Sequence, residues 1–229
     1  MEKNYNSAKI LGFLVLGIVI ILGSFFFIYN SLEQKYENQS SFDYWIEQTL
    51  AGKESENNYE YNGYVFVRSQ DSTEWETRGF TQAGTPYSIK SYFGPRDVDY
   101  ISMPNQTIID IFAKPTVLIS LDSNIDDAGF FPQATIGAIE ISKILGTRNN
   151  LLNKRVVSGV ANPSNSTLNI TVIDCSFVTA NQSVIYYTMA NETSITYQNG
   201  CTIVSAPDGS EFVKASDRIM FGLLGVIER

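Results

Sequence analysis

The chain contains no histidine. Imidazole is the usual general base near neutral pH and the commonest metal ligand, so its absence excludes Ser-His and Cys-His nucleophiles and every His-ligated metal mechanism. A serine-lysine pair would escape that exclusion, but no Ser is followed three residues later by Lys. No Gly-rich phosphate loop is present either. Positive charge is scarce, with 16 Lys and Arg against 24 Asp and Glu. Such an acidic surface repels nucleic acid, which is bound mainly through basic side chains, so no nucleic-acid partner is expected. There is no internal repeat and no low-complexity tract.

Against this sparse chemistry stands one strong physical signal, the uncharged run from Ile10 to Tyr29. Twenty residues of helix at 1.5 Å each span roughly 30 Å, the hydrocarbon thickness of a bilayer. The run reads as a transmembrane helix over residues 10–29, preceded by a short cytoplasmic tail, 1–9. Lys3, Lys9 and the free amine precede it, whereas Glu33, Lys35 and Glu37 follow, so the positive side is N-terminal and the rest of the chain is expected outside. A cleaved signal peptide would have a shorter apolar core and an A-x-A triplet after it. A type IV pilin-like leader is the other rival, because Gly12-Phe13 opens the run. Pilins carry Glu five residues into the mature helix, where this chain has Gly17.

Two cysteines, Cys175 and Cys201, lie in the outer part. An even count in an oxidising compartment points to one disulfide, closing a loop of about 27 residues worth roughly 3.5 kcal/mol. A reactive thiol needs cationic neighbours, but Asp174 precedes Cys175, and no Lys or Arg occurs between Arg155 and Lys214. Six N-x-S/T sequons, at Asn38, Asn105, Asn165, Asn169, Asn181 and Asn191, all follow the hydrophobic run, as glycosylation outside the membrane requires.

Residues 30–58 read as a polar stalk and linker with a short helix, in which Phe42, Trp45, Ile46 and Thr49 recur at helical spacing before Gly52. Residues 59–229 read as one extracytoplasmic domain. Tyr64–Arg68, Thr73–Arg78 and Tyr87–Phe93 alternate as a three-strand meander. Thr116–Leu121 is apolar on both sides and reads as a central strand, followed by a turn and a helix from Pro132 to Leu145 that Gly146 stops. After a possible strand at Arg155–Val160 come four more, at Asn169–Cys175, Val184–Met189, Ser194–Tyr197 and Cys201–Ser205. Ala190–Thr193 between the second and third carries a hairpin signal. Asp208–Ile227 closes the chain as an amphipathic helix with Lys214, Asp217 and Arg218 on its solvated side. The fold class expected is α+β: an N-terminal transmembrane helix, then a mixed β-sheet ectodomain with two packing helices and one disulfide.

No catalytic residue can be assigned. Asp122, Asn124 and Asp126 match the first ligands of a calcium loop, yet Asp127 and Gln133 stand where Gly and Glu should be. A turn and helix N-terminus accounts for these oxygens better, through bonds to free backbone N–H groups, and no cofactor is expected. Tyr59, Tyr61, Tyr64 and Phe66 read as sheet packing rather than an exposed aromatic strip.

The segments ITVIDC, VIYYTMANETSITYQNGCTIV and EFVKASDRIMFGLLGV resemble the end of small archaeal membrane-anchored proteins with no assigned function. There a cysteine-bracketed hairpin leads into a helix with an Ala-x-Asp-Arg step, matched here by Ala215, Asp217 and Arg218. The resemblance covers about the last sixty residues and, in part, Thr116 to Leu145. It implies an extracytoplasmic location and carries over no site residue. The expected role is binding or structural interaction at the cell envelope, with a carboxylate-based glycan hydrolase and a pilin-like filament subunit as alternatives.

Overall fold

The computed structural model describes residues 23–24, 42–68, 73–80, 84, 86–146, 151–162 and 171–227. The hydrophobic run at 10–29 and the Gly12-Phe13 step lie outside them, apart from Gly23 and Ser24, which are helical. Among the described residues no helix is long and apolar enough to cross a membrane. The chain folds as mixed α+β, with two sheets and one disulfide joining Cys175 and Cys201 at a Cα separation of 5.5 Å.

The first sheet has four strands in sequential antiparallel order, β1 (Asn58–Tyr61), β2 (Tyr64–Arg68), β3 (Trp75–Phe80) and β4 (Pro86–Ser91). The expected meander therefore gains a strand. Its source is the Asn62-Gly63 pair, whose φ values of 49° and 80° fit a two-residue hairpin loop needing positive φ at both positions. Along β3, Trp75 and Thr77 turn inward while Glu76 and Arg78 alternate outward, as their polarity requires.

Helix α1, residues 42–50, lies against the outer face of this sheet. The Arg78 guanidinium covers the Phe42 ring at 3.9 Å and pairs with Asp43 at 2.8 Å. Buried Asn58 donates its amide to Thr49 Oγ1 at 2.7 Å and to the Lys53 carbonyl at 2.8 Å. Residues 42–58 of the stretch read as a stalk are thus docked on the sheet through these contacts.

The second sheet runs β6-β5-β7-β9-β8, with β5 (Thr116–Asp122), β6 (Arg155–Ala161), β7 (Gln182–Met189), β8 (Ser194–Gln198) and β9 (Cys201–Ala206). Strands β6, β5, β7 and β9 are parallel. α2 (Asn105–Ala113) precedes β5, and the short α3 (Ser123–Asp127) follows it. α4 (Phe131–Leu145) makes the crossover from β5 to β6, the α/β unit that the central-strand pattern predicts. The hairpin expected across Ala190–Thr193 does not form. β7 pairs with β9, and β8 folds back on β9 through Asn199-Gly200, where φ is 49° and 90°. That pair supplies the two positive φ values of a tight turn, whereas no residue of Ala190–Thr193 has positive φ.

The strand expected at Asn169–Cys175 is also corrected. Residues 169 and 170 lie outside the described set, Val172 makes one isolated bridge to Val160, and Cys175–Phe177 is a turn of 3-10 helix. This irregular strap, pinned by the disulfide, covers the sheet face carrying Leu118 and Val184.

Between the sheets lies α5 (Gly209–Leu224), capped by the Asp208 side chain at one end and by left-handed Gly225 at the other. Phe221 meets Phe66 edge-on from the first sheet at 5.6 Å, and Phe212 meets Tyr187 of the second at 6.0 Å. With a sheet on each side and α4 alongside, α5 is buried nearly all round. Its sequence stripe is amphipathic, yet the polar side is not solvated.

Candidate functional site

The polar side of α5 is where sequence and structure part most sharply. Lys214 pairs with Glu211 at 2.6 Å. Arg218 is buried and donates Nε to the Ile101 carbonyl at 2.9 Å; burial lowers its pKa, partly offset by the charges of Tyr61 and Asp99. Asp217 is fully buried. Its Oδ2 accepts the Phe93 N–H at 2.8 Å, and among the described residues its Oδ1 has no hydrogen-bond partner. Loss of hydration holds this carboxyl well above the usual range, against the pull of the Phe93 and Tyr92 amides and with the Glu140 charge adding to the rise.

Two cavities flank this carboxyl and together outline a groove. One, of about 250 Å³, lies between Ser88, Ile89 and Lys90 of β4 and Glu140, Lys143 and Ile144 of α4. The other, wider and about 530 Å³, lies between Tyr92 and Phe93 and the start of α4 at Gln133 and Ile136. Gln133, Ile136, Glu140, Lys143 and Ile144 form one stripe of α4 about 16 Å long, and Ser88 to Phe93 in extended conformation spans about the same. Helix and strand therefore run antiparallel, side by side. Val213 and Met220, one from each cavity, bracket Asp217 on the same face of α5, so the fully buried Asp217 lies beneath the stretch between the two cavities without lining either.

The walls mix apolar surface with a few charges. Buried Glu140 pairs with Lys143 at 2.7 Å, and Lys90 is exposed on the strand side. At the wide end Arg68 stacks over Trp75 at 4.2 Å, while Asp97 accepts the Gly94 N–H at 2.9 Å. Gly94 itself is required by crowding, because a Cβ there would run into Tyr59 Oη and the Trp75 indole nitrogen. Tyr59 and Phe66 are buried and Tyr61 and Tyr64 pack against the same core, which bears out the packing reading of these aromatics.

The calcium candidates take separate roles. Asp122 ends β5, caps α3 by accepting the Asn124 N–H at 3.0 Å, and accepts from Tyr186 Oη and from Asn162 at 3.3 Å. Burial and the Asp122 contact push Tyr186 up to about 12. Asn124 turns its amide to Thr188 at 3.1 Å, and Asp126 is exposed. Alternate positions on a helix point about 200° apart, so α3 does not gather these three oxygens at one point. Among the described residues no group of three or more His, Cys, Asp or Glu could hold a metal ion. Of the sequons, Asn105, Asn181 and Asn191 are exposed, while Asn38, Asn165 and Asn169 lie outside the described residues.

Comparison with known protein families, curated proteins and solved structures finds no match to this chain. The groove residues were not singled out by sequence reasoning. Only the α4 stripe carried a signal, since Gln133, Glu140 and Lys143 are polar positions on a helix otherwise rich in Ile and Ala.

Proposed function

We propose that the chain is a single-pass membrane protein, N-terminus cytoplasmic, whose C-terminal domain lies outside the cell membrane and binds another envelope protein or glycan. The uncharged run at 10–29, the basic residues before it, the exposed sequons and the disulfide support the location. The groove between β4 and α4 carries the binding reading, because its concave walls mix apolar side chains with polar and charged ones. The proteins that the C-terminal segments resemble add the same location and no activity.

A carboxylate hydrolase would need two acids facing one substrate. Glu140 and Asp217 are neighbours, which favours keeping this second reading, but Asp217 has no exposed surface for a substrate to reach. Crosslinking in native membranes, with the full chain tagged at its C-terminus, tests the binding role through recovery of a stoichiometric envelope component. Saturable glycan hydrolysis abolished by Glu140→Gln or Asp217→Asn would replace it with the enzyme. A mature N-terminus at Phe13 would replace it with the pilin-like subunit.

A further inference from the structure

We propose that Asn105 and Asn181 receive N-linked glycans while the chain is still unfolded, and that folding then closes both sequons to the transferring enzyme. This rests on the location outside the membrane proposed above.

Two hydroxyls carry the inference. Thr107 and Ser183 are buried, and among the described residues they are the only Ser or Thr whose hydroxyl is sealed from solvent without a hydrogen-bond partner. Each is the third residue of a sequon, Asn105-Gln106-Thr107 or Asn181-Gln182-Ser183, whose asparagine is exposed. Thr107 shares a buried face of α2 with Ile111, and Ser183 stands opposite Val117 of β5, followed by fully buried Val184 and Ile185. A sealed hydroxyl that bonds to nothing costs stability, and valine at 107 or alanine at 183 would remove that cost. Neither hydroxyl therefore serves the folded domain. In the unfolded chain each completes the acceptor triplet, which requires Ser or Thr at its third position. The third exposed sequon supplies the contrast: Thr193 donates to Glu211 at 2.6 Å, so its hydroxyl has a place in the fold and Asn191 is outside the inference.

The order of events follows from burial. Side chains two apart on a helix point about 200° from each other, so exposed Asn105 leaves Thr107 turned inward. Ser183 is enclosed within β7. Only an unfolded segment offers asparagine and hydroxyl together to one enzyme. The transfer joins Asn Nδ2 to the anomeric carbon of an oligosaccharide carried on a lipid phosphate. The bond from that carbon to the phosphate oxygen breaks, the lipid phosphate leaves, and the amide proton passes to a base of the transferase. Neither asparagine lines the groove between β4 and α4, so modification leaves its walls unchanged.

The test measures site occupancy by glycopeptide mass spectrometry in the full chain from a glycosylating host. Glycan at both asparagines is expected, lost from Asn105 in Thr107→Val and from Asn181 in Ser183→Ala, and kept in Thr107→Ser. The two apolar variants, prepared without glycan, should have urea midpoints no lower than wild type. A lower midpoint gives the hydroxyl a structural role and overturns the inference, as do bare asparagines. For the order of events, purified transferase and its lipid-linked donor act on the unglycosylated full chain in nanodiscs and on Ile185→Asp, which puts a charge in the core and prevents folding. Transfer to the second chain alone is expected, and equal results for the two overturn it. A domain digested by protease on intact cells yet bare at both sites overturns the inference while the location stands; a protected and bare domain overturns both.

Discussion

The Asp217 carboxylate accepts the backbone N–H of Phe93 at 2.8 Å, tying the central helix to the end of an edge strand 124 residues away in the chain. The carboxylate takes an amide two residues past the last residue of β4 and so holds that end of the first sheet on α5. The arrangement buries a group that is costly to ionise.

Asp217 therefore makes stability depend on pH. Because its folded pKa lies above the unfolded value, its contribution is fully present below about pH 3.8 and is lost as pH rises through the folded pKa. Asp217→Asn keeps an acceptor for Phe93 and removes the charge, so at pH 8 it should stabilise by about 1–3 kcal/mol, with little gain near pH 4. Asp217→Leu, leaving the Phe93 amide buried without an acceptor, should destabilise at both. Urea unfolding of the three proteins at the two pH values measures this.

Breaking the Cys175–Cys201 bridge frees the strap that covers Leu118 and Val184. Replacing both cysteines by serine should cost roughly 3.5 kcal/mol. Unfolding midpoints compared between oxidised wild type, wild type in reductant and the double variant check it, with the last two expected to agree.

Gly137 sets the spacing between α4 and α5. A Cβ there would stand 3.0 Å from Ser216 Cβ and 3.2 Å from the Phe212 carbonyl, with Ser216 Oγ closer still. Since α4 and α5 are both held by sheet contacts, Gly137→Ala should destabilise by about 1–3 kcal/mol. Gly129→Ala, at a position with open space around the Cβ but φ of 78°, separates crowding from backbone strain in the same denaturation series.

Asn105, Asn181 and Asn191 are exposed, as a glycan at each in the proposed orientation requires. Glycopeptide mass spectrometry of the chain from a glycosylating host should find modification among these sites, and Asn→Gln at each should remove the matching mass. Protease added to intact cells should digest the domain, as the proposed orientation requires.

Much of the local structure was legible. The Thr116–Leu121 run marked the central strand, Pro132 and Gly146 bounded α4 to within a residue, and the cysteine count with its acidic neighbour indicated the bridge. These signals depend on residues close in sequence, through propensity, alternation and capping. The Asn-Gly pairs at 62–63 and 199–200 were equally local. Reading Asn199-Gly200 as a turn would have joined β8 to β9 rather than to β7.

The rest depended on distant segments. A parallel pair such as β7 and β9 is joined by a crossover rather than a turn, so nothing adjacent in the chain announces it. Asp217 and Arg218 lie on what reads as a wet helical face, and they are dry because the first sheet, far upstream, packs there. The sequence alone determined where helices, strands and the bridge arise, because those follow from neighbouring side chains. Only the tertiary structure decided which edges pair, which charges lose their water and that β4 and α4 enclose a groove, because pairing and desolvation are set by what the rest of the chain brings alongside.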